Sequence, residues 1–270
     1  RMGVDVSFIS PRIGAGVQSA IRPNTKAIFL EMPGSLTFEM SDPDAILAVT
    51  KDYKIVSIVD NTWGAGILFK PLDAGFDVAV QALTKYVVGH SDGFGGAVFT
   101  NNNHLSLQIE QTAQQWGISL SAEDAYLCQR GLRSLKHRMK IQGENAVIIA
   151  KYLTNHSAVG DVHFPALSSH PDHSIWKKYY NGPSGLFAFS LKLASDSQVK
   201  AFFERLELFS FGFSWGGFES LMIPCDPQLK RTESPEWNDP DRGALIRISV
   251  GLEETEDLIA DLEQALAVIN

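Results

Sequence analysis

Cysteine is scarce in this chain: only Cys128 and Cys225 occur among 270 residues, far apart and with no C-x-x-C spacing. That excludes a disulfide framework or a cysteine-rich metal site as the organising device, and a reducing, cytoplasmic compartment is expected. Positive charge is short as well, with 23 Lys+Arg against 31 Asp+Glu, a net charge of −8 and no dense basic tract. A nucleic-acid backbone would find little to neutralise it, so nucleic acid is not expected as a partner. Long apolar runs are missing too. The run at 186–193 holds a serine and a lysine, well below the ~18 uncharged residues of a membrane span. The first residues have no charged segment followed by an apolar one; instead Val4 to Ile9 alternates like a strand. The chain is therefore expected to start inside a domain, without an N-terminal portion.

What is present is an ordinary globular composition, 44% hydrophobic and 20% charged, with room for one large domain or two smaller ones. Residues 26–32 and 54–60 read as strands buried on both faces, because their apolar residues are near-continuous. Between them Ser41 is placed to cap a helix with Pro43 in its first turn and Ile46, Leu47 and Val49 on its apolar side. Residues 76–81 and 96–100 add strands, which predicts a layered α/β domain over 1–121 with an at least partly parallel sheet. From 122 to 155 apolar positions recur at helical spacing, predicting one long connecting helix, bent at Gly131 or Gly143. After a stretch rich in Pro, Ser and His, strands at 186–193 and 244–250 bracket a helix at 198–206. An amphipathic helix at 254–268 completes a small α+β domain over 156–270.

In an open α/β sheet ligands sit at the carboxyl ends of the strands, and Asp60 ends an apolar run there. It is either a ligand partner or a cap for the turn at Asn61-Thr62. Lys85 follows the next strand, in Thr84-Lys85-Tyr86, ahead of a glycine-rich stretch. A lone lysine there is usually a surface residue. Together with Asp60 and the Thr84 hydroxyl, however, it makes up the parts needed to hold pyridoxal phosphate: an amine, a carboxylate for the pyridine nitrogen and a phosphate donor. Arg247 shares a strand face with Leu245 and Ser249, and is either an exposed strand arginine or a fork for a carboxylate. Trp215, between Ser214 and Gly216-Gly217, reads as loop-borne. His163, His170 and His173 lack the Cys or acidic partners of a zinc site and read as a polar loop, with no metal expected. His90 reads as structural.

Several blocks in order carry a resemblance: residues 59–62, 70–72, 75–77 and 84–92, then Glu31-Met-Pro-Gly-Ser35, residues 213–220 and Leu245-Ile-Arg247. Over essentially the whole chain they resemble the cysteine/methionine-metabolism family of fold-type-I pyridoxal-phosphate enzymes, and within it the β-lyase branch. Other branches usually have Leu where Trp215 stands. The resemblance implies a fold-type-I architecture, a partial large α/β domain plus a smaller α+β domain, with pyridoxal 5′-phosphate as cofactor. It implies cleavage of the Cβ–S bond of L-cystathionine in methionine biosynthesis by a homo-oligomer, commonly a tetramer, without nucleic acid or membrane. By position, Lys85 would bond the cofactor aldehyde and act as the catalytic base, Asp60 would pair with the pyridine nitrogen and Thr84 would contact the phosphate. Arg247, with Ser214 and Trp215 beside it, would take the substrate carboxylate. Two positions depart from the family pattern, Ala82 for a serine and Leu83 for a small residue. The family's phosphate-binding turn and ring-stacking tyrosine match positions upstream of residue 1. A γ-lyase, a γ-synthase, a broader cysteine-conjugate β-lyase and a non-catalytic assembly subunit are the competing readings.

Overall fold

A computed structural model describes residues 3–192 and 194–269; Arg1, Leu193 and Asn270, which bound two of the expected segments and the last domain, lie outside it. Ala27–Glu31 (β1) and Val56–Asp60 (β2) pair in parallel through the helix Pro43–Tyr53 (α1). That helix starts at Asp42, not at the expected Ser41. The Asp42 carboxylate accepts from the Ala45 N–H at 3.3 Å while Pro43 takes the first helical position, where no N–H is needed. The chain returns through Pro71–Ala74 (α2) to Val78–Ala82 (β3), again parallel, and Gly96–Phe99 (β4) closes the sheet antiparallel in the order β1-β2-β3-β4.

The first two strands are not buried on both faces. β1 alternates buried and exposed, with Phe29 60% exposed, because it is an edge strand and no layer covers its outer face among the described residues. Residues 4–9 are irregular rather than a strand, and Val4, Val6 and Phe8 are exposed; alternation alone supplies no pairing partner. Asn103–Trp116 (α3) likewise buries none of its residues.

The single helix expected over 122–155 is two, Ala122–Leu132 (α4) and Leu135–Thr154 (α5), parted at Arg133-Ser134. Neither glycine bends it. A Cβ at Gly131 would lie 2.0 Å from the Val87 carbonyl oxygen and one at Gly143 2.2 Å from that of Pro183, so both glycines let another backbone approach.

The second sheet joins Val159–His163 (β5), Leu186–Leu191 (β6), Ser210–Phe211 (β7), Leu221–Pro224 (β8) and Ala244–Ser249 (β9) in the order β5-β6-β9-β8-β7. His173–Tyr179 (α6), Asp196–Arg205 (α7) and Thr255–Leu266 (α8) are its helices. Every residue of β6 is buried, and Phe187, Phe189, Ile246 and Ile248 join Phe202 of α7 and Leu258 and Leu262 of α8 in the core. Each such side chain contributes about 1.5–3 kcal/mol. Among the described residues no helix is long and apolar enough to cross a membrane.

Candidate functional site

The carboxyl end of the first sheet supplies a carboxylate. Asp60 is the last residue of β2, between Glu31 of β1 and Val80 of β3 in register. Its Oδ1 accepts from the Thr62 N–H at 2.8 Å, and the Thr62 hydroxyl accepts from the Ala82 N–H at 2.9 Å, tying the ends of β2 and β3 together. The turn-capping alternative for Asp60 thus occupies one oxygen. The Glu31 carboxyl, which accepts from the Ser35 N–H at 3.1 Å, is pushed above the usual range by burial and secondarily by Asp60.

Lys85 sits in the tight turn after β3. Its N–H donates to Ala82 at 3.2 Å, Val88 to Leu83 at 2.9 Å and Gly89 to Lys85 at 2.8 Å. The half-buried side chain crosses to the other sheet: Nζ donates to Ser214 Oγ at 2.9 Å and stands 5.4 Å from the centre of the Trp215 ring. Burial, and then the charge of Arg247, lower the lysine pKa, so its amine gives up a proton more readily than an exposed one. The Thr84 hydroxyl accepts from the Gly95 N–H at 3.0 Å and reaches the Gly95 carbonyl at 3.3 Å. In this arrangement it pins the glycine-rich loop, and to donate to a phosphate it would give up the longer of these bonds.

Arg247 is a strand residue without being an exposed one. It lies in β9 between Ala188 of β6 and Ile223 of β8, is 7% exposed, and donates from Nη2 to the Phe213 carbonyl at 2.6 Å. It has no carboxylate partner among the described residues, and desolvation lowers its pKa. A buried guanidinium lacking a counter-charge is a ready receptor for an anionic group. Trp215 lies in the loop, half-buried, edge-on to Tyr86 with ring centres 5.5 Å apart. Gly216 (φ +78°) lets that loop close in: a Cβ there would lie 3.0 Å from the Tyr86 nitrogen.

Asp60, Lys85, Ser214, Trp215 and Arg247 therefore border one region where the two sheets meet. Asp60 borders both a cleft of about 690 Å³ with Gln81, Ala82, Phe94 and Leu120, and a recess of about 20 Å³ with Glu31, Ser35, Trp63 and Trp215. A separate cleft of about 760 Å³ beside α1 and α3 contains none of these residues. An amine made easier to deprotonate, a strand-end carboxylate and an unpaired guanidinium are a donor set that fits pyridoxal phosphate and an amino-acid substrate. His90 bonds the Val88 carbonyl at 2.7 Å. His163 packs on Trp237 at 5.0 Å between ring centres. No group of three metal-binding side chains occurs among the described residues. The sequence alone did not point to Glu31 beside Asp60, nor to the close contact of Gly216 with the Lys85 turn. A carboxylate ending a neighbouring apolar strand was the available signal for the first.

The sequence profile of the Cys/Met metabolism PLP-dependent enzyme family matches residues 1–267. Cystathionine beta-lyase of Escherichia coli (strain K12) is 40% identical over 272 residues, which is 100% of this chain and 69% of that protein. An L-alanine/L-glutamate racemase of Wolbachia pipientis wMel is 41% identical over 269 residues, 99% of this chain and 65% of its own length. Among solved structures, cystathionine gamma-lyase from Lactobacillus plantarum, complexed with L-serine, superposes with a TM-score of 0.87 at 34% identity. That match covers 94% of this chain and 67% of that one.

Proposed function

From its membership of the Cys/Met metabolism PLP-dependent enzyme family, to which this chain belongs, we propose that it cleaves the Cβ–S bond of L-cystathionine, giving homocysteine, pyruvate and ammonia. The chain is a pyridoxal-phosphate-dependent carbon–sulfur lyase with the fold-type-I architecture. The observation that carries the β-lyase reading is the Lys85–Ser214–Trp215 contact, in which the amine reaches the loop that carries the β-lyase-like tryptophan.

When bound, pyridoxal phosphate supplies an electron sink for charge withdrawn from the substrate's Cα. Lys85, Asp60 and Thr84 would hold it. The Asp60 carboxylate keeps a proton on the pyridine nitrogen. Arg247 binds the α-carboxylate and sets the orientation of Cα. The Lys85 Nζ takes the Cα proton and returns a proton to the departing sulfur, and Ser214 Oγ holds that amine between the two positions. Trp215, packed edge-on against Tyr86, shields the amine from water on one side. Assembly into a homotetramer in a reducing cytoplasm suits the exposed apolar side chains of α3 and β4 and the two free, buried cysteines.

The test is the product formed from L-cystathionine by the full-length enzyme. Pyruvate with homocysteine supports the proposal; 2-oxobutyrate with cysteine would replace it with γ-elimination. The racemase relative gives one further specific reading, since a base that removes a Cα proton can also return it to the opposite face. Loss of optical rotation from L-alanine, at a rate rivalling pyruvate release, would favour it.

A further inference from the structure

Arg138 stands in the first turn of α5, where the helix dipole disfavours a cation, and is only 7% exposed. It has no carboxylate partner among the described residues, and burial lowers its pKa. Such a placement costs free energy unless strong acceptors offset it. Four of its five N–H groups are used locally. Nη1 donates to the Tyr86 carbonyl at 2.8 Å, Nη2 to Gly131 at 2.9 Å and Val87 at 3.4 Å, and Nε to Ser134 Oγ at 3.0 Å. Two of these acceptors are the carbonyls directly after Lys85, at the end of its turn, where a cation is favoured as a cap.

The surroundings are shaped for that guanidinium. Gly89, at φ +66°, passes so close that a Cβ would lie 1.9 Å from Nη1, and Gly131 meets the Val87 carbonyl at a distance no side chain would allow. The other side of the turn is held by neutral groups: the Tyr86 hydroxyl bonds Ser184 Oγ at 2.5 Å and accepts from the Gly185 N–H at 3.0 Å. A lysine in place of Arg138 offers three donors on a point charge and cannot span, as the planar guanidinium does, the carbonyls of two backbone segments and the Ser134 hydroxyl.

We propose that Arg138 is the positioning residue of this site: by capping the Tyr86 and Val87 carbonyls it fixes the turn from which the Lys85 amine reaches Ser214, and so holds that amine half-desolvated beside Arg247. It touches neither substrate nor cofactor and acts through Lys85. The proposal rests on the reading of Lys85 as the reacting amine but not on which carbon–sulfur bond is cleaved.

The test measures the amine itself. Acetylation of Lys85 by acetic anhydride is followed by peptide mass spectrometry across pH, on the full chain before pyridoxal phosphate is added. Its pH midpoint reports the amine's environment independently of access. The groups facing Nζ are Ser214 and Trp215 from the loop and the charge of Arg247 from β9. In Arg138→Lys the midpoint should rise toward that of an exposed lysine by about half a unit or more. With the enzyme loaded, kcat for cystathionine should fall about tenfold while KM stays near wild type, because Arg247 still holds the carboxylate. Lys140→Met, an exposed change on the same helix, should alter neither. A folded Arg138→Lys protein with wild-type midpoint and kcat, whatever its melting temperature, would overturn the proposal by reducing Arg138 to a packing residue. Should Arg138→Lys fail to fold, Ser134→Ala removes only the Nε contact and should move the midpoint in the same direction by less; no movement there would also overturn it. A change of product from pyruvate to 2-oxobutyrate would defeat the β-lyase reading and leave the midpoint test intact.

Discussion

The two sheets contribute to the site in opposite ways. The first offers groups where its strands stop: Asp60 on the last residue of β2, and Lys85 in the turn after β3, both half-buried and both engaged by neighbouring N–H groups or hydroxyls. The second offers Arg247 from the middle of β9, flanked by β6 and β8 and almost fully buried. On the proposed mechanism the groups that hold or move protons would sit where the backbone can aim them, at strand ends and turns. The charge proposed to orient the substrate is built into a core strand, where its position is fixed by packing on both sides.

Substitutions can break that division of labour. The largest effect is expected from the first sheet: Lys85→Ala should lower turnover by at least about a thousandfold, since one side chain both takes and returns the proton. Steady-state pyruvate release checks this, and near-normal turnover would remove Lys85 from its role. Asp60→Asn should cost about two to three decades in kcat while cofactor binding, read by absorption, changes less, because an amide can hydrogen-bond the ring nitrogen but cannot keep it protonated. From the second sheet, Arg247→Lys should lower kcat/KM by about one to two decades, matching the ~1.5–3 kcal/mol of a charge-assisted contact. An unchanged kcat/KM would make Arg247 purely structural.

The smallest effect tests whether the second sheet is the rigid half. His163, at the end of β5, and His170 are each pushed down to about 4, mainly by burial, from an ordinary value of 6.5. The folded chain therefore keeps them neutral, while the unfolded chain takes up protons first. The stability this confers is full above pH 6.5 and is lost as the pH falls toward 4. Melting between pH 7 and pH 5 should show a loss of about 2 kcal/mol for each of the two histidines. His163→Phe, which keeps an aromatic ring against Trp237, should remove about half of that loss; an unchanged slope would locate the acid sensitivity elsewhere.

Much of the layered fold was readable in the sequence because near-continuous apolar runs mark core strands, whereas the alternation at 4–9 found no partner and formed none. Burial was less so. β1 and β2 carry the residues of strands covered on both faces, yet coverage depends on a layer that pattern cannot place. Glycines 131 and 143 were misread as bends because sequence shows a missing side chain but not the backbone that fills its space. In the site, Asp60 and Lys85 stood out by position at strand ends. Arg247 kept two readings because a strand arginine looks the same exposed or buried, and its contact with the Phe213 carbonyl spans 34 residues. Arg138 gave no signal, since the acceptors that tie it to the Lys85 turn are backbone carbonyls about fifty residues away.

The central claim is that the turn after β3 presents the reacting amine to a site shared by both sheets. Full-length enzyme loaded with pyridoxal phosphate, reduced with borohydride and digested, should carry the cofactor on the peptide containing Lys85, and the label should remain there in Arg247→Lys. A label spread over several lysines, or fixed on one other than Lys85, would contradict it.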